Sequence, residues 1–196
     1  MKIDKMQQKN LDKQIKELAR AHGFKALKGY LYSHVADDFV SVIYTIVDSS
    51  KLAYLVRIKK FSYDDVFWDV INMADNKNQP ISLRANGAFK SPSIIITEGE
   101  IPLNPDVCSV AEMLYNVVCE EVSEFRANYD VNEYVIEHDD IPYSSILKCL
   151  AYIDLHNPAF AVKVAQASIE AGDVHGGFEN EGKGFFEWII LQYGNT

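Results

Sequence analysis

The stretch that most constrains this chain is residues 57–91, RIKKFSYDDVFWDVINMADNKNQPISLRANGAFKS. It closes one β-rich segment, holds a short amphipathic helix and ends in turn-forming residues. Upstream, residues 52–60 have the apolar, Val- and Ile-bearing composition of a strand that stops at Phe61-Ser62. Val66, Phe67, Val70, Ile71 and Ala74 then recur at helical spacing and mark one face. Asp65, Asp69 and Asn72 fall on another face, with Trp68 near them. Ser62, three residues before Asp65, predicts a weakened capping box. Asp64 and Asp65 fall in the first turn, where the helix dipole favours negative charge. Past a polar turn at 76–80, residues 81–85 read as a short strand, with a turn at Asn86-Gly87.

Asp64, Asp65, Trp68, Asp69 and Arg84 make up the candidate binding site, an acidic and aromatic cluster with one cation. The structural alternative is that the aspartates cap and solvate the helix, Trp68 packs on the sheet and Arg84 pairs with one of them. The run FSYDDVFWDVINMADN followed by PISLRANGAF resembles an uncharacterised bacterial domain-of-unknown-function family. That family's pattern combines an N-terminal Lys-rich helix, a strand meander, an "fDDifWdI" segment and an "SLRa.GaF" segment. Here the last two correspond to residues 63–70 and 82–89, and the likeness extends to HGFKALKGYLY at 22–32. It covers about the first two-thirds of the chain. The resemblance implies a fold unit and carries no activity to transfer.

Residues 24–32 and 39–47 read as strands, and a loop at 48–51 leads to the strand at 52–60, so an antiparallel meander is expected. In front lies an amphipathic helix over 4–22, with Leu11, Ile15, Leu18, Ala19 and His22 in one stripe and Gly23 as its stop. His22 is placed to meet that helix's C-terminal dipole. Behind the centre, 94–97 predicts another short strand, and 98–106, holding Gly99, Pro102 and Pro105, predicts an irregular link. From residue 107 onward helical stripes dominate, with breaks at 139–142 and 173–184. Asn157-Pro158 reads as a helix start.

The fold expected is therefore α+β: an antiparallel sheet of about five strands, covered by the N-terminal helix and the short central helix, then a helical C-terminal part. Leu11, Ile15, Leu18, Val66, Phe67, Val70 and Ile71 are expected to cover one face of the sheet. The organisation read from the chain is an α+β unit at 1–106 and a helical extension at 107–196 packed on it.

A hydrophobic share of 48% and a charged share of 24% are those of a globular protein. No apolar run approaches the ~20 residues of a spanning helix, and residues 1–20 lack the apolar core of a signal peptide. A cytoplasmic protein is expected. A formal net charge of −9 argues against nonspecific nucleic-acid binding and against anionic membranes. It suits a basic protein partner, since opposite charge speeds encounter. Arg57, Lys59, Lys60 and Phe61 form a small basic and aromatic group, weak support for a nucleic-acid patch.

Cys108, Cys119 and Cys149 are far apart, with no CxxC, and read as reduced thiols. Two further segments hold groups able to do chemistry. Glu137-His138-Asp139-Asp140 places an imidazole among carboxylates, and 173–184 (DVHGGFENEGKG) is a Gly-rich segment with His175. A solvated loop is the reading taken for the first, and a mere linker suits the second just as well. Phosphate-loop, zincin and nucleophile-elbow patterns are lacking. No cofactor or metal is expected, and the sequence leaves the oligomeric state open. The first functional expectation is a non-enzymatic accessory or immunity-type interaction protein using an acidic surface. The second is a small-molecule binder or enzyme with a cleft between the sheet and the C-terminal helices.

Overall fold

A computed structural model describes residues 5–48, 50–104 and 106–194. It is α+β: an N-terminal helix, a five-stranded antiparallel sheet, then a mainly helical C-terminal part. Among the described residues no helix is long and apolar enough to cross a membrane. The chain divides into two compact units, each drawing on two separate stretches. Met1–Ile58 with Ile95–Asn128 form the first, and Lys59–Ile94 with Tyr129–Thr196 the second.

In the first unit, α1 (Lys5–Ala19) leads into β1 (Lys25–Leu27), β2 (Tyr30–Val35), β3 (Asp38–Asp48) and β4 (Lys51–Lys60), and β5 (Ile94–Pro102) completes the sheet in the order β1-β2-β3-β4-β5. The single strand expected at 24–32 is a hairpin. Gly29 (φ +75°) turns the chain, and Leu27 pairs with Tyr30 across the turn. The β2–β3 hairpin follows, with Val35 opposite Asp38 and Leu31 opposite Val42. Along β3, Val40, Val42, Tyr44 and Ile46 alternate into the interior, the period-2 signature of a face packed on a core. The Tyr44 hydroxyl donates to the Asp12 carboxylate at 3.1 Å, which ties that face to α1.

α4 (Val107–Asn128) lies against α1. Leu11 and Ile15 face it with Val110, Ala111, Leu114 and Val118, all fully buried. The Tyr115 hydroxyl donates to the Ile15 carbonyl at 2.6 Å, and the His22 ring stacks on Tyr115 at 4.5 Å. His22 is thus held by an aromatic face as well as by its place beyond α1. Leu18, expected in the buried stripe, is only half-buried.

Two expectations about β structure are corrected. Residues 81–85 are not a strand. They pass through a turn into the four-residue helix α3 (Leu83–Asn86), where the Arg84, Ala85 and Asn86 N–H groups bond back to Ile81 and Ser82. Pro80 removes one ladder donor there, and Arg84 turns inward, so no sheet edge is available to this segment. Residues 98–102 are not an irregular link but the second half of β5. Gly99 marks a close approach there and not a turn. A Cβ at Gly99 would lie 2.6 Å from the Tyr54 hydroxyl and 2.9 Å from its ring. Glu100 pairs with Lys51 at 2.5 Å.

In the second unit, α2 (Ser62–Val70) packs against α6 (Ser144–Asp154) and α8 (Phe185–Tyr193). α5 (Val131–Glu137) and α7 (Pro158–Glu170) complete the helical set. The Phe67 ring meets Phe178 edge-on at 4.8 Å and stacks on Phe185 at 5.5 Å. The expected capping box at Ser62 does not form. Phe61, in αR conformation, occupies the cap position without a side-chain bond. Asn157 does precede α7, with Pro158 opening it, but its side chain makes no cap either.

Although the sequence from 107 onward suggests no strand, residues 173–184 hold a two-stranded hairpin, β6 (Glu179–Asn180) with β7 (Lys183–Gly184). It is tied down at several points. Asn180 donates to the Ile71 carbonyl at 2.7 Å, Trp188 donates to Asn180 at 3.2 Å, and Asn72 donates to the Glu181 carboxylate at 3.1 Å.

Candidate functional site

Four of the five candidate residues, Asp64, Asp65, Trp68 and Arg84, come together inside the second unit, and the fold adds two more, Lys59 and Ser91. β4 ends at Lys60 and α2 begins two residues later, so this strand-to-helix corner brings Lys59 beside Asp64. Ser91 arrives from the extended residues before β5. The Lys59 ammonium donates to Asp64 Oδ1 at 2.8 Å, to the Ser91 hydroxyl at 3.0 Å and to the Ser91 carbonyl at 3.3 Å. Asp64 Oδ1 also accepts from the Ser91 N–H at 2.8 Å and the Ser91 hydroxyl at 3.0 Å. Asp64 Oδ2 lies 2.7 Å from the same ammonium and 3.8 Å from Arg84 Nη1, held by charge and not by an aligned hydrogen bond.

Arg84 forms the second layer. Its guanidinium donates to Asp65 at 2.7 Å and to the Phe61 carbonyl at 2.9 Å. It lies over the Phe61 ring at 3.9 Å and the Trp68 ring at 4.9 Å, as a planar cation favours. The Trp68 indole N–H donates to the Phe89 carbonyl.

Lys59 and Ser91 are each 1% exposed, Asp64 not at all and Arg84 6%. Burial holds the Lys59 pKa below the ordinary lysine value, against the pull of Asp64. A lysine so depressed beside a serine hydroxyl is a pairing able to activate a nucleophile. Here the ammonium faces the carboxylate and Ser91 from inside the protein, and the charges of Lys59 and Asp64 neutralise one another. The arrangement is that of a dry ion pair stitching the strand end, α2 and the 87–93 segment together. Neither Lys59 nor Ser91 was singled out as part of a site from sequence. Lys59 reads as part of a surface basic group, and no local pattern distinguishes it from Lys60, which binds Asp130 at 2.7 Å.

Asp69, the fifth candidate, stands apart on the exposed side of α2 and pairs with Lys77. Trp68, near the polar face by spacing but packed inside in the structural alternative, is 1% exposed. His138 closes α5, with Nδ1 2.8 Å from the Tyr134 carbonyl and its ring stacked on Tyr134 at 4.0 Å. Asp139 pairs with Lys148, which holds its carboxyl below the usual range. His175 lies 3.8 Å from Glu179. Among the described residues no three His, Cys, Asp or Glu side chains gather as a metal would require. Cys108, Cys119 and Cys149 are free thiols. Burial pushes the Cys149 thiol far above its ordinary value, and its sulfur lies 3.4 Å from the Ala161 carbonyl.

A surface recess of about 340 Å³ opens at the start of α6, lined by Tyr143, Ser144, Ser145, Asp173, Gly176 and Phe186 among others. Tyr143 holds a left-handed conformation (φ +61°) and gives α6 no side-chain cap.

Comparison with protein-family models, with curated proteins and with solved structures finds no match to this chain.

Proposed function

We propose that this protein is a non-enzymatic interaction protein, of an accessory or immunity type, that meets a basic protein partner through an acidic surface. The observation that carries this reading is the distribution of charge. Residues 129–196 contain eleven Asp and Glu against three Lys. Glu133, Glu137, Asp139, Asp140, Glu170, Asp173, Glu179, Glu181 and Glu187 are all exposed. Two cations of the same unit, Lys59 and Arg84, are turned inward and neutralised by Asp64 and Asp65. Carboxylates are therefore what an approaching molecule meets on this part of the surface. Such a field raises the on-rate for basic partners and weakens with salt.

Binding of a basic probe protein to the full chain, followed by titration calorimetry across an ionic-strength series, tests this. Affinity is expected to fall steeply with salt. The combined substitution Glu133→Gln, Glu137→Gln, Asp139→Asn and Asp140→Asn is expected to reduce both affinity and salt slope. Binding that ignores both salt and these substitutions would sink the acidic-surface reading.

A further inference from the structure

We infer that a second copy of this chain docks on the exposed side of α7, in an antiparallel, two-fold helix pair. The helix has the sequence PAFAVKVAQASIE, with one lysine and one glutamate among thirteen residues. Only Ala161 and Ala165 are buried. Ala159, Phe160, Lys163, Gln166, Ala167 and Glu170 are exposed and recur at helical spacing, so they form one continuous stripe. Phe160 is 44% exposed. A surface helix ordinarily shows a charged outer face. This one shows Ala159 and Phe160 before Lys163, and only Gln166 and Ala167 between Lys163 and Glu170.

Those two charges choose the occupant. Lys163 and Glu170 stand two turns apart, about 10 Å along the axis, too far to pair within the helix. Among the described residues neither takes part in an ion pair. Lys163 instead lies over the Phe160 ring at 4.7 Å. A two-fold axis crossing the stripe between Gln166 and Ala167 reverses the order of charges in the second copy. Lys163 then faces the partner's Glu170, and Glu170 faces the partner's Lys163. Alanine at the centre permits close approach, and Phe160 falls over the end of the partner's helix. The interface is isologous, as closed dimers require. For a chain of net charge −9, a stripe with no net charge is also a place where two copies meet without strong repulsion. This inference does not rest on the acidic-surface reading: of the exposed carboxylates counted there it uses Glu170 alone, and Glu170 is not among the four positions changed in the test of that reading.

Sedimentation equilibrium on the full chain, at ionic strength near ~0.15 M where long-range repulsion is screened, is expected to show reversible association to twice the 22.2 kDa chain mass. Lys163→Glu and Glu170→Lys each place like charges opposite one another twice per dimer. Each is expected to raise the dimer Kd by about tenfold or more. The double reversal K163E/E170K restores both pairs and is expected to return Kd towards the parent value. Both positions are exposed, and circular dichroism of each variant verifies the fold. Should a reversal disturb folding, Lys163→Gln and Glu170→Gln serve in its place and are expected to weaken the dimer more mildly. A chain that stays monomeric at every concentration overturns the inference, as does a dimer whose Kd ignores the single reversals or is not recovered by the double one.

Discussion

Lys59 shows how one residue can tie three segments together. Its ammonium is out of water, so its stability rests on buried partners, Asp64 and Ser91 among them. Removing one partner of such a pair leaves a stranded charge. Lys59→Met is expected to destabilise the second unit by about 3–5 kcal/mol, measured by urea unfolding. The double substitution Lys59→Met with Asp64→Leu is expected to recover much of that loss. It still leaves the Ser91 N–H without its acceptor, which costs about 1–3 kcal/mol. A double variant as unstable as the single one would contradict this account. The site was partly legible from the residues themselves. Asp64, Asp65 and Arg84 stood out because charges near a short apolar helix need partners. Lys59 and Ser91 did not, because a lysine at a strand end reads as solvated until the chain reveals what covers it. Helical spacing alone sets Trp68 near the polar face, and only the structural alternative buries it. A nine-residue helix buried on more than one side has no single apolar stripe to read.

At the scale of elements, α5 depends on its cap. Asp130 accepts from the Asn132 and Glu133 N–H groups and from Lys60. Partial burial works against its ionisation, but the Lys60 and backbone hydrogen bonds outweigh burial and hold the carboxyl below its ordinary value of 3.8. Because the folded-state pKa is depressed, the cap's contribution is fully present above the unfolded-state pKa. It is lost as pH falls through the folded one. Asp130→Ala is expected to cost about 1 kcal/mol at neutral pH, and the difference from the parent should vanish in strong acid. Thermal unfolding across pH checks both statements. Among the elements, α1, α2, α4, α6 and α8 could be read from apolar residues at helical spacing, β3 and β4 from Val- and Ile-rich composition, and α7 from Asn157-Pro158 at its start. α3 could not, since four residues contain less than two periods of any pattern. The second half of β5 was hidden by Gly99, which lies against the Tyr54 ring of a different strand. β6 and β7 were hidden because two-residue strands carry no alternation.

At the scale of the molecule, the α+β class followed from the order of strand-like and helical stretches. The pairing of distant stretches did not. Residues 59–94 find their packing partners in 129–196, and 95–128 return to the first unit. Local patterns say which face of a helix is apolar but not which element will cover it. A cut at the composition change near residue 106 therefore divides both units. Fragments 1–106 and 107–196, expressed separately, are each expected to lack cooperative unfolding, and mixing them should restore it in part. Near-UV circular dichroism, sensitive to Trp68 and Trp188 in their buried settings, reports the outcome.

The interleaved path also sets a timetable for birth on the ribosome. Once Ile94 is made, Tyr63, Phe67 and Trp68 exist without α6 or α8, and the chain must extend to Tyr193 before the last of these arrives. At about 5–20 residues per second, that delay is roughly 5–20 s. For that interval the nascent protein carries a bare aromatic segment in its middle, a natural landing place for a chaperone.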